Sequence, residues 1–130
     1  MSFAEKRRHP RVDESLSFQV AVDSKIITAE TRNISCGGAL CYLSHPIPEM
    51  TKLKISFALP LAAPAAGLKT IHCTGVVVRQ QEIRNEQDRG PTYLTAIYFS
   101  ELKPEDKRRI AEFVLQSMLS HDRQRSSDGR

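Results

Sequence analysis

Hydrophobic and polar positions alternate with a period of two along several short stretches of this chain. Leu16, Phe18, Val20 and Val22 alternate with Ser17, Gln19 and Ala21, which predicts a strand with one dry and one wet face. Asp23-Ser24-Lys25 reads as a hairpin turn, and Ile26 to Ile34 as a β-branched second strand whose outer face carries Glu30 and Arg32. Ala39 to Leu43 reads as a third strand, ended by Ser44-His45-Pro46-Ile47-Pro48, where two prolines remove ladder donors. Leu53, Ile55, Phe57 and Leu59 mark a fourth, with Lys52 and Lys54 on its wet side and Pro60 closing it. A loop over 60–69 leads to a fifth strand, Thr70 to Val78, whose interior Gly75 predicts a bend or bulge. The charged run Arg79 to Pro91 reads as an exposed hairpin connection to a sixth strand, Tyr93 to Phe99.

The period then lengthens. Pro104 suits a first helical turn, Glu105 and Asp106 complement the positive end of the helix dipole, and Ile110, Phe113, Val114, Ser117 and Met118 follow helical spacing. Leu115 and Leu119 broaden that stripe, and the pattern predicts about four turns packed on the core. From His121 the chain is polar and reads as a disordered tail. The fold class expected is all-β dominated: a small six-stranded antiparallel β-barrel with a C-terminal α-helix, since closure removes the edges that six short strands would expose. The expected divisions are a flexible basic arm (1–14), the barrel and helix (15–120) and the tail (121–130).

Composition adds little until its distribution is considered. A chain of 130 residues, 40% hydrophobic and 26% charged, fits one domain with a core of its own. The formal net charge of +4 is mild, yet residues 5–11 concentrate four bases against one acid, a patch suited to phosphate. No apolar run reaches membrane-spanning length, and the N-terminus lacks the apolar centre of a secretory signal, so a cytoplasmic location is expected. Cys36, Cys41 and Cys73 are odd in number and form no Cys-x-x-Cys pair, which argues against a disulfide framework. Cys41 and Cys73 read as small buried apolar side chains and Cys36 as part of a polar turn.

Two polar clusters carry the candidate chemistry. Asn33-Ile34-Ser35-Cys36-Gly37-Gly38 lies between the second and third strands; Asn and Ser can bond backbone or a ligand, while paired glycines supply positive φ and leave the backbone bare. Such a hexapeptide also serves as a plain tight turn. Lys6-Arg7-Arg8-His9-Pro10-Arg11 enters the same sheet, and Pro10 makes the segment extended rather than helical. Guanidinium groups on an extended arm can fork onto phosphate oxygens or the O6/N7 edge of guanine. The plain alternative is a solvated basic terminus.

Taken together, the clusters resemble the PilZ domain family. Its hallmarks are Arg-x-x-x-Arg before the first strand, met here by Arg7-Arg8-His9-Pro10-Arg11, and Asp/Asn-x-Ser-x-x-Gly between the second and third strands, met by Asn33 to Gly38. Gly75-Val76-Val77, Tyr93 to Phe99 and the closing helix also look like the family's pattern, although Ala96 stands where a strand glycine is usual. The resemblance implies binding of cyclic di-GMP, a bacterial second messenger of two guanosines joined by two phosphodiesters. It implies that Arg7, Arg8 and Arg11 engage phosphate and guanine, that Asn33 and Ser35 hydrogen-bond the ligand, and that Gly38 keeps the turn open. In this family a base at the position of Lys6 goes with capture of two intercalated ligand molecules rather than one. A mobile arm clamped onto the barrel by the ligand would change the surface shown to a downstream protein, in the manner of motility or biofilm regulators.

Other classes find less support in the residues. His9, His45, His72 and His121 have no partner motif and metal-ligand spacing is missing, so no catalytic residue, metal or cofactor is expected and the chain is not read as an enzyme. Small barrels with basic arms also bind single-stranded nucleic acid, but the aromatic platform for stacked bases is lacking. The remaining alternative is a PilZ-like protein interaction module that does not bind the nucleotide.

Overall fold

The computed structural model describes residues 9–61, 67–83 and 90–128, with side chains as far as Ser120. Six strands form in order: β1 (Ser17–Val22), β2 (Lys25–Ser35), β3 (Gly38–Leu43), β4 (Lys52–Pro60), β5 (Leu68–Ile83) and β6 (Thr92–Glu101), followed by α1 (Pro104–Asp128). They close into a barrel in the order β1-β2-β3-β6-β5-β4, with every pairing antiparallel, β4 returning to β1. The expected six-stranded barrel with one C-terminal helix is therefore present.

Alternation decides what fills it. Phe18 and Val20 from β1 and Leu53, Ile55, Phe57 and Leu59 from β4 are buried, while Gln19, Lys52 and Lys54 face out. Phe18 stacks on Phe57 with ring centroids 4.3 Å apart and planes 13° apart, and Phe99 lies 6.4 Å from both. Asp23 and Ser24, at φ of 48° and 65°, make the β1–β2 connection; two residues at positive φ match the right-handed twist of the flanking strands. The register of β5 shifts between Thr74 and Gly75, as the interior glycine suggests.

Three features differ from those expected. β5 runs on to Ile83, through Arg79 to Glu82, where a connection was expected to begin. Backbone pairing with β6 continues there (Glu82↔Tyr93, Gln81↔Leu94), and a ribbon with wet faces tolerates charge. Gln80 holds this end: its amide nitrogen donates to Thr95 Oγ1 (3.0 Å) and its oxygen accepts from Ile47 N–H (3.1 Å). The helix covers 25 residues rather than about four turns and runs through 121–128, where a disordered tail was expected, because neither Gly nor Pro interrupts residues 105–128 and a helix tolerates a polar sequence. The third difference is the apolar stripe. Ile110, Phe113 and Val114 are buried against the barrel, whereas Leu115, Met118 and Leu119 are 55%, 39% and 45% exposed, since a helix laid on a barrel end can bury only one narrow face. Its first turn is pinned by an Arg109–Asp106 ion pair of 2.8 Å, with Asp106 buried.

Candidate functional site

The segment Asn33 to Gly38 is mostly strand rather than turn. Asn33, Ile34 and Ser35 end β2, Gly38 begins β3, and only Cys36 and Gly37 form the turn between them. The register runs Ser35↔Gly38, Ile34↔Ala39 and Asn33↔Leu40, then slips, leaving Arg32 unpaired between Thr31 and Asn33. Such a bulge re-aims the side chains beside it. Ile34 is fully buried, so Asn33 and Ser35 belong to the outer side of the strand by alternation.

Ser35 is itself buried, and its hydroxyl closes the turn: Oγ accepts from Gly37 N–H (3.1 Å) and donates to Gly38 O (3.4 Å). The Gly37 carbonyl accepts from Phe99 N–H at 2.9 Å, tying the turn to β6. Neither glycine supplies the positive φ expected of the pair; the described glycines that do are Gly67 and Gly90. Their value is steric. A Cβ on Gly38 would lie 2.1 Å from the Ile97 carbonyl oxygen, and one on Gly37 would lie 2.9 Å from His9 Cδ2.

That contact reveals where the arm goes. Val12, buried, exchanges two backbone hydrogen bonds with Ile34 (3.1 and 3.0 Å) in an isolated antiparallel bridge. By that register Arg11 falls beside Ser35 and Asp13 beside Asn33. Thr31 fastens the next residues. Its N–H donates to Leu16 O (2.9 Å), its Oγ1 donates to Glu14 O (2.6 Å), and Leu16 N–H donates to that Oγ1 (2.7 Å). Ser15 also donates its hydroxyl to Glu30. Residues 12–16, expected to belong with a flexible arm and strand entry, are thus sewn onto β2, because a lone apolar Val12 finds the core and Thr31 satisfies its neighbours.

The structure therefore gathers Arg11, Asn33, Ser35 and Gly38 along one outer edge. Lys6, Arg7 and Arg8 lie outside the described residues. Arg11 is exposed and forms no ion pair, and half-buried Asn33 forms no side-chain hydrogen bond, among the described residues. Sequence reasoning passed over His9, which packs on the turn, and Thr31, which anchors the strand entry. His9 had a signal, lying inside the Arg-x-x-x-Arg span; Thr31 had none, because a threonine in a β-branched run looks ordinary.

None of the described grooves is lined by Arg11, Asn33, Ser35 or Gly38. A groove of about 750 Å³ lies on the outer face of β1, β4 and β5, flanked by Gln19, Lys54, Ser56, His72 and Lys103. It contains no arginine to fork onto a planar anion. No group of three or more His, Cys, Asp or Glu that could hold a metal ion occurs among the described residues.

The cysteines behave as packing groups. Burial pushes the Cys41 thiol from 9.0 up to about 12, and burial with the nearby Asp106 carboxylate does the same for Cys73. The unfolded chain loses the Cys41 proton from about pH 9 while the folded chain keeps it to about pH 12. Stability is therefore expected to be full below pH 9 and to fall as pH rises, by about 1.4 kcal/mol per unit for this thiol. Urea unfolding across alkaline pH checks this: Cys41→Ala should show a shallower decline, and an unchanged decline would remove Cys41 as its cause.

Several solved structures share this barrel. The Bacillus subtilis inhibitor of motility, MotI/DgrA, matches with a TM-score of 0.73 at 20% identity, over 88% of this chain and 52% of that one. The PilZ domain of YcgR from Escherichia coli, solved with c-di-GMP, matches with 0.65 at 13% identity, over 96% of this chain and 98% of that one. The K. pneumonia MrkH–c-di-GMP complex matches with 0.69 at 20% identity, over 91% of this chain and 54% of that one. The chain spans about half the length of MotI and MrkH and nearly all of the isolated YcgR domain. At such identities the likeness is one of fold, and no curated protein matches the chain by sequence. The PilZ domain model matches residues 5–116, taking in the arginine cluster, the β2–β3 segment and half of the helix, and by that match the chain belongs to the PilZ domain family.

Proposed function

We propose that this chain is a cyclic di-GMP receptor whose ligand sits on the ledge formed by the arm and the β2–β3 turn. The observation that carries the reading is the Val12–Ile34 bridge, which brings Arg11 from one motif beside Ser35 of the other. The c-di-GMP complexes of YcgR and MrkH, relatives in fold, support the choice of ligand. The ligand is a dianion with acceptor-rich guanine edges. Arg11 offers a forked cation already held at the sheet, with Arg7 and Arg8 four and three residues ahead of it in the chain to add charge. Asn33 brings an amide that can both donate and accept. Ser35 holds the turn closed and keeps one lone pair free. Gly38 lets the start of β3 lie close against the β6 backbone and so keeps the turn in place.

Because Val12 is fixed, the change in surface on binding falls on residues ahead of it, and a downstream protein reads that change. Calorimetric titration with cyclic di-GMP tests the receptor. Arg11→Ala is expected to weaken binding about ten- to a hundredfold, since a charged hydrogen bond contributes about 1.5–3 kcal/mol. Arg11→Lys should also weaken it, because a point charge cannot fork. Ser35→Ala should weaken it by loosening the turn. A stoichiometry near two would support the role of Lys6 in capturing a second ligand. No heat at about 100 μM ligand, well above the micromolar affinities such bonds give, would overturn the reading and leave the interaction module.

A further inference from the structure

The same sheet row that holds Ser35 and Gly38 continues into β6. Ser35 pairs with Gly38, Gly38 pairs with Tyr98, and Tyr98 pairs with Val76 on β5. Directly opposed residues present their side chains on the same face. Tyr98 points outward between buried Ile97 and Phe99 and is 56% exposed. Its hydroxyl has no hydrogen bond and its ring no aromatic partner among the described residues. A large ring left this bare on a strand contributes little to the fold.

The spacing across the row suits a flat heterocycle. Ser35 and Tyr98 are two strands apart, roughly 10 Å. A planar base touching a group on each face at about 3.5–4.0 Å takes up roughly 7–8 Å. Between them stands Gly38, the one position in the row without a side chain, where β3 approaches the β6 backbone so closely that a Cβ would lie 2.1 Å from the Ile97 carbonyl oxygen. The other tyrosines cannot substitute: Tyr42 lies four residues along β3 from Gly38, roughly 13 Å away, and Tyr93 pairs with Leu43 at the opposite end of β6. The phenylalanines Phe18, Phe57 and Phe99 face the core.

We propose that Tyr98 is the aromatic wall of the ligand site, taking one face of a guanine that lies over Gly38 with its other face toward Ser35 and Arg11. This rests on the cyclic di-GMP reading and adds to it a residue outside both motifs. Stacking on the ring selects a purine base, whereas the arginines select phosphate. The phenol oxygen has no part in a face-to-face contact, so the ring alone carries the effect.

Titration of wild type, Tyr98→Phe and Tyr98→Thr with cyclic di-GMP tests the wall; threonine keeps the strand preference while removing the ring. Tyr98→Thr is expected to bind about five- to a hundredfold more weakly, the range for losing one base–aromatic stack, and Tyr98→Phe to bind like wild type. The chain has no tryptophan and three tyrosines, so tyrosine emission reports directly. Ligand should quench it in wild type, and that quenching should vanish in Tyr98→Phe although binding persists, which a merely structural role would not produce. Wild-type affinity in Tyr98→Thr, or unchanged quenching in Tyr98→Phe, would overturn the wall while leaving the receptor intact. No binding by wild type would overturn both.

Discussion

Gly38→Ala is expected to lower stability by about 1–3 kcal/mol or more, and to weaken cyclic di-GMP binding beyond what a single methyl suggests. The added Cβ would meet the Ile97 carbonyl oxygen at 2.1 Å, the Ile97 carbonyl carbon at 3.2 Å and Tyr98 Cα at 3.3 Å. All three are backbone atoms of β6, so no rotamer change relieves the clash. The start of β3 must move away from β6, and the Phe99 N–H to Gly37 O bond that ties the turn is the first to suffer. Losing it adds about 1 kcal/mol. Gly37→Ala is a useful contrast, since its Cβ meets the His9 ring at 2.9 Å, a side chain that can turn aside. Urea unfolding of both variants should order them wild type, Gly37→Ala, Gly38→Ala from most to least stable. Equal stability for Gly38→Ala and wild type would mean that β3 and β6 separate there at no cost.

The second large effect belongs to the barrel interior. Phe18→Ala is expected to cost about 3–5 kcal/mol, because Phe18 is fully buried and stacked at 4.3 Å on Phe57, with Phe99 completing the group. The three rings come from β1, β4 and β6, so the cavity opens where the sheet closes on itself and no single strand can shift to fill it. Against a total of about 5–15 kcal/mol for a domain, this is a large fraction. Chemical denaturation followed by circular dichroism measures it, and a loss under about 1 kcal/mol would show that the barrel collapses around the gap.

What the sequence makes legible follows from where water and core meet. β1 and β4 have one dry and one wet face, so Phe18-Gln19-Val20 and Leu53-Lys54-Ile55 announce themselves. The far part of β5 has no dry face: Arg79 to Glu82 look like loop, and only the pairing with β6 makes them strand. α1 was visible through Ile110, Phe113 and Val114 but not in its length, since the sequence from His121 onward carries no apolar residue at helical spacing. At the site, the spacing of Asn33, Ser35 and Gly38 was readable because it is local. Asn33 was also legible as the end of the second strand; that Ser35 still pairs, with Gly38, was not, because the run Ser35-Cys36-Gly37-Gly38 looks like turn throughout. Of the neighbours of the turn, His9 had only its place inside the Arg-x-x-x-Arg span to mark it and Tyr98 had no mark, for a different reason. They arrive through long-range pairing, of the arm with β2 and of β3 with β6, and no local pattern encodes which strand lies beside which.

Barrel closure has a consequence for recognition. An open sheet offers a row of unpaired amides and carbonyls to which a peptide can add itself as one more strand. Here each of the six strands has a neighbour on both sides. Along the closed part of the barrel that mode of capture, which needs little from side chains, is shut out; among the described residues the far part of β5, Arg79 to Ile83, pairs with β6 alone. A partner of the proposed ligand-bound state would, over the closed barrel, have to read side chains: those at the arm, on the outer faces of the strands, or on the exposed flank of α1 at Leu115, Met118 and Leu119. Partner choice can then drift by surface substitution alone, one residue at a time, while the backbone that holds Arg11 against Ser35 stays as it is.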